Sequence, residues 1–333
     1  MRVAPPIFVA CALLAVAGTP PAARAGDPFL IRNDLPVGRL YGVPVGVDAD
    51  PAAAPGFGLR VGFDVANSSI AKANETSALT LDGETWTLRF AARHVWKNGW
   101  RVMVGVPVVS HQGGGTDSFI EHYHDALGLP DGNRKQRPSG RLEYRYRRNG
   151  ETIFRQTDCT TGVGDVFVAV AAPLARDRVR PRALDAVAGV ELPTGAADRL
   201  LGSGSWDFSL GLAGADFATL AQWNLELHGG VGVLAMTAGD VLADFQEPFA
   251  GYGDLAVGWR LARWLVPRVQ VDVHSPFFSG TGQAPLDHWA VDLVCGATVR
   301  LPGRLALDLA VAEDVAVDTA PDVVFHVGLK RSL

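Results

Sequence analysis

Residues 85–96 read TWTLRFAARHVW, and this stretch decides the fold class. Trp86, Leu88 and Phe90 fall on one face of an extended chain, whereas Arg89 and its alternate neighbours fall on the other. An apolar residue at every second position is typical of a β-strand with one apolar and one polar face. The stretch therefore predicts a strand that separates an apolar environment from a polar one.

The same alternation recurs along most of the chain. Several of the alternating segments are longer than the roughly 5–6 residues of a typical soluble strand. Their length fits the roughly 9–11 residues that a tilted strand needs to cross a membrane. About twelve segments show the pattern, near residues 57–66, 84–96, 99–110, 162–174, 182–193, 205–217, 222–236, 251–263, 265–275, 287–300, 303–313 and 321–330.

Short and long connections alternate between these segments. Only Lys97 and Asn98 separate the second segment from the third, and residues 301–303 join the tenth to the eleventh. This alternation is typical of outer-membrane barrels, whose short turns face the periplasm. We therefore expect an all-β fold, a transmembrane antiparallel β-barrel of about 12 strands. Its long external loops are expected at residues 67–83, 111–161, 194–204, 237–250, 276–286 and 314–320.

Tryptophans and charges divide between the two faces of the predicted strands. Most tryptophans lie on the apolar face near strand ends, where barrels carry interfacial aromatic girdles. Charged side chains face lipid only at a large cost, so the opposite face is expected to line the lumen. The predicted channel-lining residues are Arg60, Arg89, Arg93, Asp185, Glu191, Glu226, His228, Asp272, Asp292 and Asp308. The same face carries Asp207, Asp254 and His326.

The first residues have the pattern of a secretory leader. Arg2 precedes an apolar run at residues 7–18, and Ala23-Arg24-Ala25 forms a small-x-small cleavage site. The apolar run is too short to span a bilayer as a helix. We therefore expect a signal peptide at 1–25, an N-terminal periplasmic or plug-like segment at 26–56, and the barrel at 57–333.

Five stretches carry a resemblance to a known family: NDLPVGRLYGVP (33–44), LTLDGETW (79–86), VPVVSHQGGGTDSFIEHYHDALGLPDGNR (106–134), ELPTG with GSGSWD (191–195, 202–207) and EDVAVDTAPDVVFHVGL (313–329). They resemble an uncharacterised family of Gram-negative outer-membrane proteins that is catalogued as a domain of unknown function. The resemblance implies an outer-membrane location and a β-barrel, and it assigns no activity. More loosely, GVGDVFVAV (162–170) is similar to a stretch of aromatic-degradation-type outer-membrane channels.

The connection 111–161 contains SFIEHYHDALGLPDGNR at residues 118–134. Its first part is expected to form a short helix that Gly128 and Pro130 end. Asn149-Gly150 between two β-rich runs predicts a hairpin in the same loop. The polar cluster expected in this external loop consists of His111, Asp117, Glu121, His122, His124, Asp125 and Arg134.

Three interpretations of this polar cluster remain open. Histidine and carboxylate side chains are zinc ligands, so the cluster is a candidate metal site. A histidine base with Ser118 or Ser275 as nucleophile would instead give a hydrolase acting on lipid or lipopolysaccharide. The interpretation that we favour is a polar network that makes the loop rigid. We therefore assign no metal, no cofactor and no catalytic residue.

The favoured function is a narrow or gated outer-membrane channel for small solutes. The alternatives are a lipid or lipopolysaccharide hydrolase and a structural or partner-binding barrel. The expected partners are outer-membrane lipid and lipopolysaccharide, the barrel-assembly machinery and a small solute. A net charge of −5 without a basic run gives no indication of nucleic-acid binding.

Overall fold

A computed structural model describes residues 28–44, 49–51, 53–116, 140–316 and 318–333. The fold is all-β. Its strands are β1 Gly56–Ala73, β2 Ser77–Val95, β3 Arg101–Gln112, β4 Glu143–Arg148, β5 Glu151–Gln156, β6 Thr160–Val163, β7 Val166–Asp177, β8 Arg182–Leu192, β9 Asp207–Asp216, β10 Leu225–Met236, β11 Phe249–Trp259, β12 Leu265–His274, β13 Ala290–Leu301, β14 Leu305–Asp314 and β15 Val323–Ser332. The helices are short, and the one α-helix in the described ranges is Ala284–Asp287.

The strands close into an antiparallel barrel. Neighbours in the chain pair from β7 to β15, β15 pairs with β1, and β1 pairs with β2. The pairs β2–β3 and β3–β7 complete the ring, so no barrel edge is left open. Because β4, β5 and β6 are additions to this ring, twelve of the described strands form the barrel, as the alternation predicted.

The turns give the barrel two different ends. The start of β1, the end of β15 and the short turns lie at one end, here called the short-turn end. These turns are 96–100, 178–181, 217–224, 260–264 and 302–304. The connections from β3 to β7, β8 to β9, β10 to β11, β12 to β13 and β14 to β15 lie at the other, the long-loop end. The alternation of connection lengths in the sequence therefore corresponds to the two ends of the barrel.

The prediction of a long loop at residues 67–83 was wrong. β1 and β2 remain paired through this region, from Asn67 opposite Glu84 to Ala73 opposite Ala78. Asn74 forms the turn, and its side-chain oxygen accepts hydrogen bonds from the N–H groups of Thr76 and Ser77 at 3.0 and 2.8 Å. The first hairpin therefore extends beyond the rest of the barrel at the long-loop end.

β4 and β5 form a hairpin that pairs with this extension of β2. Asn149 and Gly150 at its turn both have positive φ, 48° and 85°, as a type I′ turn requires. β6 pairs with the C-terminal end of β3, and β7 pairs with the N-terminal part of the same strand. The helix expected at the start of residues 118–134 lies outside the described residues, as does the leader expected at residues 1–25.

Tryptophans mark both rims of the outward face. Along β2, the ten steps from Trp86 to Trp96 correspond to about 33 Å of strand at roughly 3.3 Å per residue. A strand tilt of about 40° converts this length to about 25 Å along the barrel axis, the height of the apolar band of membrane barrels. Six tryptophan side chains near the strand ends are 44–59% exposed. They are Trp96, Trp100, Trp223 and Trp264 at the short-turn end and Trp206 and Trp289 at the long-loop end.

None of the helices in the described ranges is long and apolar enough to cross a membrane.

Candidate functional site

The polar side chains of the barrel strands point into the lumen. Arg93 and Asp272, two of the predicted channel-lining residues, lie on inward-facing positions and are half-buried. The others are at most 5% exposed, and they are Arg60, Arg89, Asp185, Glu191, Glu226, His228, Asp292 and Asp308. Since the outward neighbours of these residues are exposed apolar side chains, the polar face encloses the interior.

Residues 28–44 occupy part of this interior. The N–H of Phe29 donates to Gln270 Oε1 on β12 at 3.0 Å. Arg32 Nη1 lies 3.3 Å from Glu191 Oε2 on β8. The N–H of Gly42 donates to Asp207 Oδ2 on β9 at 2.8 Å. β10 and β11 lie between β9 and β12 in the sheet. The segment therefore connects separate parts of the barrel wall.

The segment approaches the wall closely at Gly42. A Cβ atom at this position would lie only 2.7 Å from Glu191 Cβ, so a larger side chain would displace the segment or the wall. Asp207 is itself held by Ser205, whose hydroxyl donates to Asp207 Oδ1 at 2.5 Å. The period-two pattern predicted Asp207 on the inward face but gave no sign that it binds residues 28–44.

An ion network joins the segment to β1, β2 and β15. Arg89 Nη2 lies 2.6 Å from Asp34 Oδ1, and its other terminal nitrogen contacts Asp64. Asp64 Oδ1 lies 2.5 Å from His326 Nδ1, and Arg39 Nε lies 3.6 Å from Asp34. Burial by itself would raise the pKa of Asp34, but the guanidinium groups of Arg89 and Arg39 outweigh it and lower the pKa below its usual value.

A hydrophobic cluster surrounds the tip of the segment at the long-loop end. Leu35, Val37, Leu40 and Tyr41 are each 1% exposed. The Tyr41 ring lies 4.8 Å from the ring of Phe277, measured between centroids. The cluster also includes wall and loop residues, among them Tyr144, Tyr146, Leu200, Leu234, Leu242, Phe278 and Leu286. The tip is therefore held by apolar packing, whereas the rest of the segment combines polar contacts with the apolar packing of Phe29 and Ile31.

Further charge pairs join different strands of the wall. Arg101 Nη2 lies 2.5 Å from Asp185 Oδ2, and Lys330 Nζ lies 2.6 Å from Asp308 Oδ2. Arg268 and Glu226 also pair, at 3.5 Å. Buried charges are tolerated when they are paired and hydrogen-bonded, so these contacts keep the lumen polar without leaving those charges isolated.

One part of the wall carries a row of carboxylates instead. Asp272 lies opposite Asp254 on one side and opposite Asp292 on the other, and Asp292 in turn lies opposite Asp314. Directly opposed residues share a face and lie roughly 5 Å apart. The acid row is therefore Asp254, Asp272, Asp292 and Asp314, on the consecutive strands β11–β14. Asp314 was not among the predicted channel-lining residues, although it ends β14 at an inward-facing position.

A small cavity separates the acid row from the segment. It has a volume of about 50 Å³, enough for a few water molecules or a small ion. Asp254, Asp272 and Asp292 line it from the wall. Phe29 and Tyr41 line it from the segment, together with Ile31, Arg32, Asn33 and Val43.

His111 is the one residue of the predicted loop cluster that falls within the described residues. It is 0% exposed and lies in β3, with its ring edge-on to Tyr144. Nδ1 lies 3.1 Å from Thr85 Oγ1, and Nε2 lies 3.0 Å from the carbonyl oxygen of Leu200. Asp117, Glu121, His122, His124, Asp125 and Arg134 lie outside the described residues.

The metal and hydrolase interpretations receive no support from the described part of the chain. No group of three or more His, Cys, Asp or Glu side chains there is arranged to hold a metal ion. The Ser275 hydroxyl accepts the N–H of Gly251, while His274 Nδ1 lies 2.8 Å from the backbone carbonyl of Ser275. His274 Nε2 lies 3.0 Å from Asn33. Ser118, the other nucleophile considered, lies outside the described residues.

The barrel, its tryptophan girdles and its polar lumen define a membrane-embedded β-barrel. Residues 4–332 match the family described as "Protein of unknown function (DUF3187)", and the chain belongs to this family. This is the kind of family that the five sequence stretches indicated. A comparison with curated proteins finds no significant match.

Solved structures resemble the fold. An outer-membrane channel from Pseudomonas putida F1 is 13% identical, covers 88% of this chain and all of its own, and gives a TM-score of 0.58. The NanC porin is 10% identical, with 83% and 100% of the two chains covered and a TM-score of 0.46. The toluene transporter TbuX of Ralstonia pickettii is 9% identical, with 85% and 91% covered and a TM-score of 0.42. At 13% identity, the likeness to the first structure concerns the fold.

Proposed function

We propose that this protein is an outer-membrane channel for small solutes and that residues 28–44 narrow and gate its lumen. The short-turn end faces the periplasm in this proposal, as in other outer-membrane barrels. The observation that carries it is the attachment of the segment to β8, β9 and β12 through Glu191, Asp207 and Gln270. A segment attached to separate parts of the wall reduces the cross-section available to a solute.

The size of the barrel supports a path that can be blocked by one segment. Eight-stranded barrels are filled by their own side chains, whereas barrels of 16–18 strands leave a wide aqueous channel. Twelve strands lie between these limits. Charged wall residues such as Arg89 and Asp308 favour water over a dry core once the segment has left.

Release of the segment requires two kinds of contact to break. The ion pairs of Arg32 and Asp34 can be exchanged for water, so their net contribution is smaller than their electrostatic attraction suggests. The apolar tip at Leu35, Leu40 and Tyr41 loses buried area without such compensation, at roughly 25 cal/mol per Å². The tip is therefore expected to dominate the free energy that keeps the lumen narrowed.

Planar-bilayer conductance tests the proposal. The protein without residues 1–25 is expected to give small or rare steps, and removal of residues 28–44 is expected to increase the conductance several-fold. Gly42→Val should give a similar increase without changing any charge, because its side chain would collide with Glu191. Gly251→Val is the matched control, since a Cβ at Gly251 meets no atom within 4 Å.

Barrel assembly has to be monitored in the same experiment. Folded membrane barrels usually migrate faster in gels before boiling than after, and each variant should show this shift. Folded variants that lack residues 28–44 and still give no steps would contradict the channel. Equal conductance with and without the segment would contradict gating while leaving the channel in place.

A further inference from the structure

We propose that the long-loop end carries a binding site for a short, extended peptide, which adds as a strand to the free edge of β5. The site is a cleft of about 830 Å³, here called the external cleft, between the β4–β5 hairpin and two loops. The loops are residues 197–200, between β8 and β9, and residues 240–245, between β10 and β11. That this peptide is the solute of the channel rests on the proposed function, whereas the binding site does not.

The edge of β5 that faces away from β4 is unpaired. β5 is the last strand at one end of the sheet, and β4 is its one neighbour among the described strands. In the described part of the chain, no backbone hydrogen bond beyond those to β4 involves residues 151–156. Unpaired N–H and C=O groups along a strand edge are a template for pairing with another chain.

The external cleft lies alongside this edge. Ile153, Phe154, Arg155 and Gln156 are consecutive in β5, and all of them line the cleft. Because consecutive residues of a strand point to opposite faces, a space that touches all of them borders the edge and not one face. Six residues of β5 are roughly 20 Å long, and an added strand lies roughly 4.8 Å from its neighbour. The volume is in the range of ligand sites, about 300–1,000 Å³, so the cleft has room for an extended peptide.

The shape of β5 restricts the occupant to a short chain. The register between β4 and β5 shifts at Ile153, which forms a bulge with an exposed side chain. A bulge and charged side chains on an edge disfavour continuous pairing with a second sheet. The loops on the opposite side of the cleft limit access further. A single peptide strand therefore suits the site better than the sheet of another protein.

The charges of the cleft favour a peptide with basic side chains. Exposed aspartates line the loop side, and no hydrogen bond or ion pair joins their side chains to another described residue; they are Asp198, Asp240 and Asp244. With Glu151 at the hairpin turn, acidic groups outnumber the two arginines that line the cleft, Arg148 and Arg155. Complementary charge steers a ligand to its site and sets which sequence is preferred.

The floor of the external cleft is apolar and belongs to the cluster that holds the tip of residues 28–44. Leu200 and Leu242 are buried members of this cluster, and Phe154 and Phe245 pack against it. In strand addition, main-chain hydrogen bonds provide affinity, and pockets for alternate side chains provide specificity. Apolar side chains at every second position of the peptide would contact this floor. The bound peptide therefore lies over the contacts that keep the lumen narrowed, where a transported solute would first be captured.

Backbone N-methylation tests the strand pairing. The probe is the hexapeptide Lys-Thr-Val-Thr-Val-Lys, titrated calorimetrically into the protein without residues 1–25 in detergent micelles. Two matched probes carry N-methyl groups on alternate interior residues, one on each edge of the peptide. Because only one edge pairs with β5, one of them should bind roughly tenfold more weakly, through the loss of one or two hydrogen bonds, and the other about as well as the parent. Equal affinity of all three probes, or no binding of the parent, would contradict the site.

Thr152→Pro tests the edge of β5 itself. Glu151 follows the two-residue turn and pairs with Arg148, so the N–H of the next residue, Thr152, is expected to point to the free edge. Proline removes this donor and is tolerated on edge strands. Binding of the probe should weaken roughly tenfold in Thr152→Pro and stay unchanged in Thr152→Val, with both variants showing the gel shift of a folded barrel. Unchanged binding in folded Thr152→Pro would contradict the role of this edge.

Two further measurements test the choice of occupant. The charge-reversed probe Glu-Thr-Val-Thr-Val-Glu should bind more weakly than the lysine probe at low salt, and equal affinity would contradict the role of the aspartates. A dimer in micelles that Thr152→Pro dissociates would assign the edge to a second copy of the chain and contradict the peptide site.

The peptide site and the channel fail in different ways. Uptake of the tritiated lysine probe into vesicles that contain the protein should fall in Thr152→Pro. Peptide binding by a protein that never conducts would support the site and contradict the channel. A conducting protein that binds no probe would contradict the site and leave the channel in place.

Discussion

The charged side chains on the two sides of the lumen are arranged differently. On β1–β3, Arg89 lies between Asp34 and Asp64, and Arg101 contacts Asp185. On β11–β14, the acid row places four carboxylates side by side, and Asp292 has only carboxylates as charged neighbours. Paired charges on the first side fix the segment and the wall. On the second side, Asp272 and Asp314 accept hydrogen bonds, but the charged groups that act on Asp292 are all of its own sign, so this side is expected to contribute less to stability.

The largest expected effect is on the paired side. Arg89→Ala leaves Asp34 and Asp64 buried without their shared cation, and breaking a buried pair in this way costs roughly 3–5 kcal/mol. Urea unfolding in lipid vesicles should show a lower free energy of unfolding by about this amount. Arg93→Ala, on a half-buried position of the same strand, is the control and should cost less. Equal losses for both variants would show that Arg89 is not a special contact.

The next effect concerns pH and the segment. The pKa of Asp34 is lower in the folded protein than in the unfolded chain. Its contribution to docking is therefore fully present above roughly pH 5, where the unfolded carboxyl is also ionised, and is lost as the pH falls through the lowered value. Open probability in planar bilayers should rise on acidification below about pH 4, near the ordinary carboxyl pKa.

Asp34→Asn provides the comparison for this titration. It should conduct more readily at neutral pH and show a smaller change on acidification than the unmodified protein. A rise of the same size in Asp34→Asn would assign the pH response to other groups.

The expected effect on the acid row is smaller and has the opposite sign. Asp292→Asn removes one of two directly opposed like charges, which are worth roughly 0.2–1 kcal/mol, so the variant should be slightly more stable in urea. Asp308→Asn should be less stable, because it leaves Lys330 without its carboxylate. If Asp292→Asn is clearly less stable than the unmodified protein, the carboxylate has a structural partner, and the contrast between the two sides is wrong.

The smallest effect is expected outside the lumen. Lys72 Nζ lies 2.5 Å from Asp318, but the lysine side chain is 48% exposed. Exposed ion pairs contribute roughly 0–1 kcal/mol, so Lys72→Ala should leave the unfolding free energy nearly unchanged. A loss comparable to that of Arg89→Ala would show that burial does not separate the strong pairs from the weak ones.

The sequence by itself determined the barrel. Lipid around the barrel and polar groups inside it impose a period of two on every strand, and residues 85–96 show that period without any tertiary information. The same constraint predicted that side chains such as those of Arg89, Glu191 and Asp292 point inward. The alternation of connection lengths predicted twelve strands. It failed at residues 67–83, because polar residues outside the membrane can continue a strand as well as end it.

Only the tertiary structure decided which of these residues meet. Period-two patterning gives the face of a residue but not its register against the next strand, so the alignment of Asp314 with Asp292 was not visible in the sequence. The contacts of Asp34 with Arg89 and of Gly42 with Asp207 join residues that are far apart in the chain, and residues 28–44 have no periodicity that would indicate them. Local patterns are set by the environment of each strand, whereas the site is set by barrel closure and by the path of the segment through the lumen.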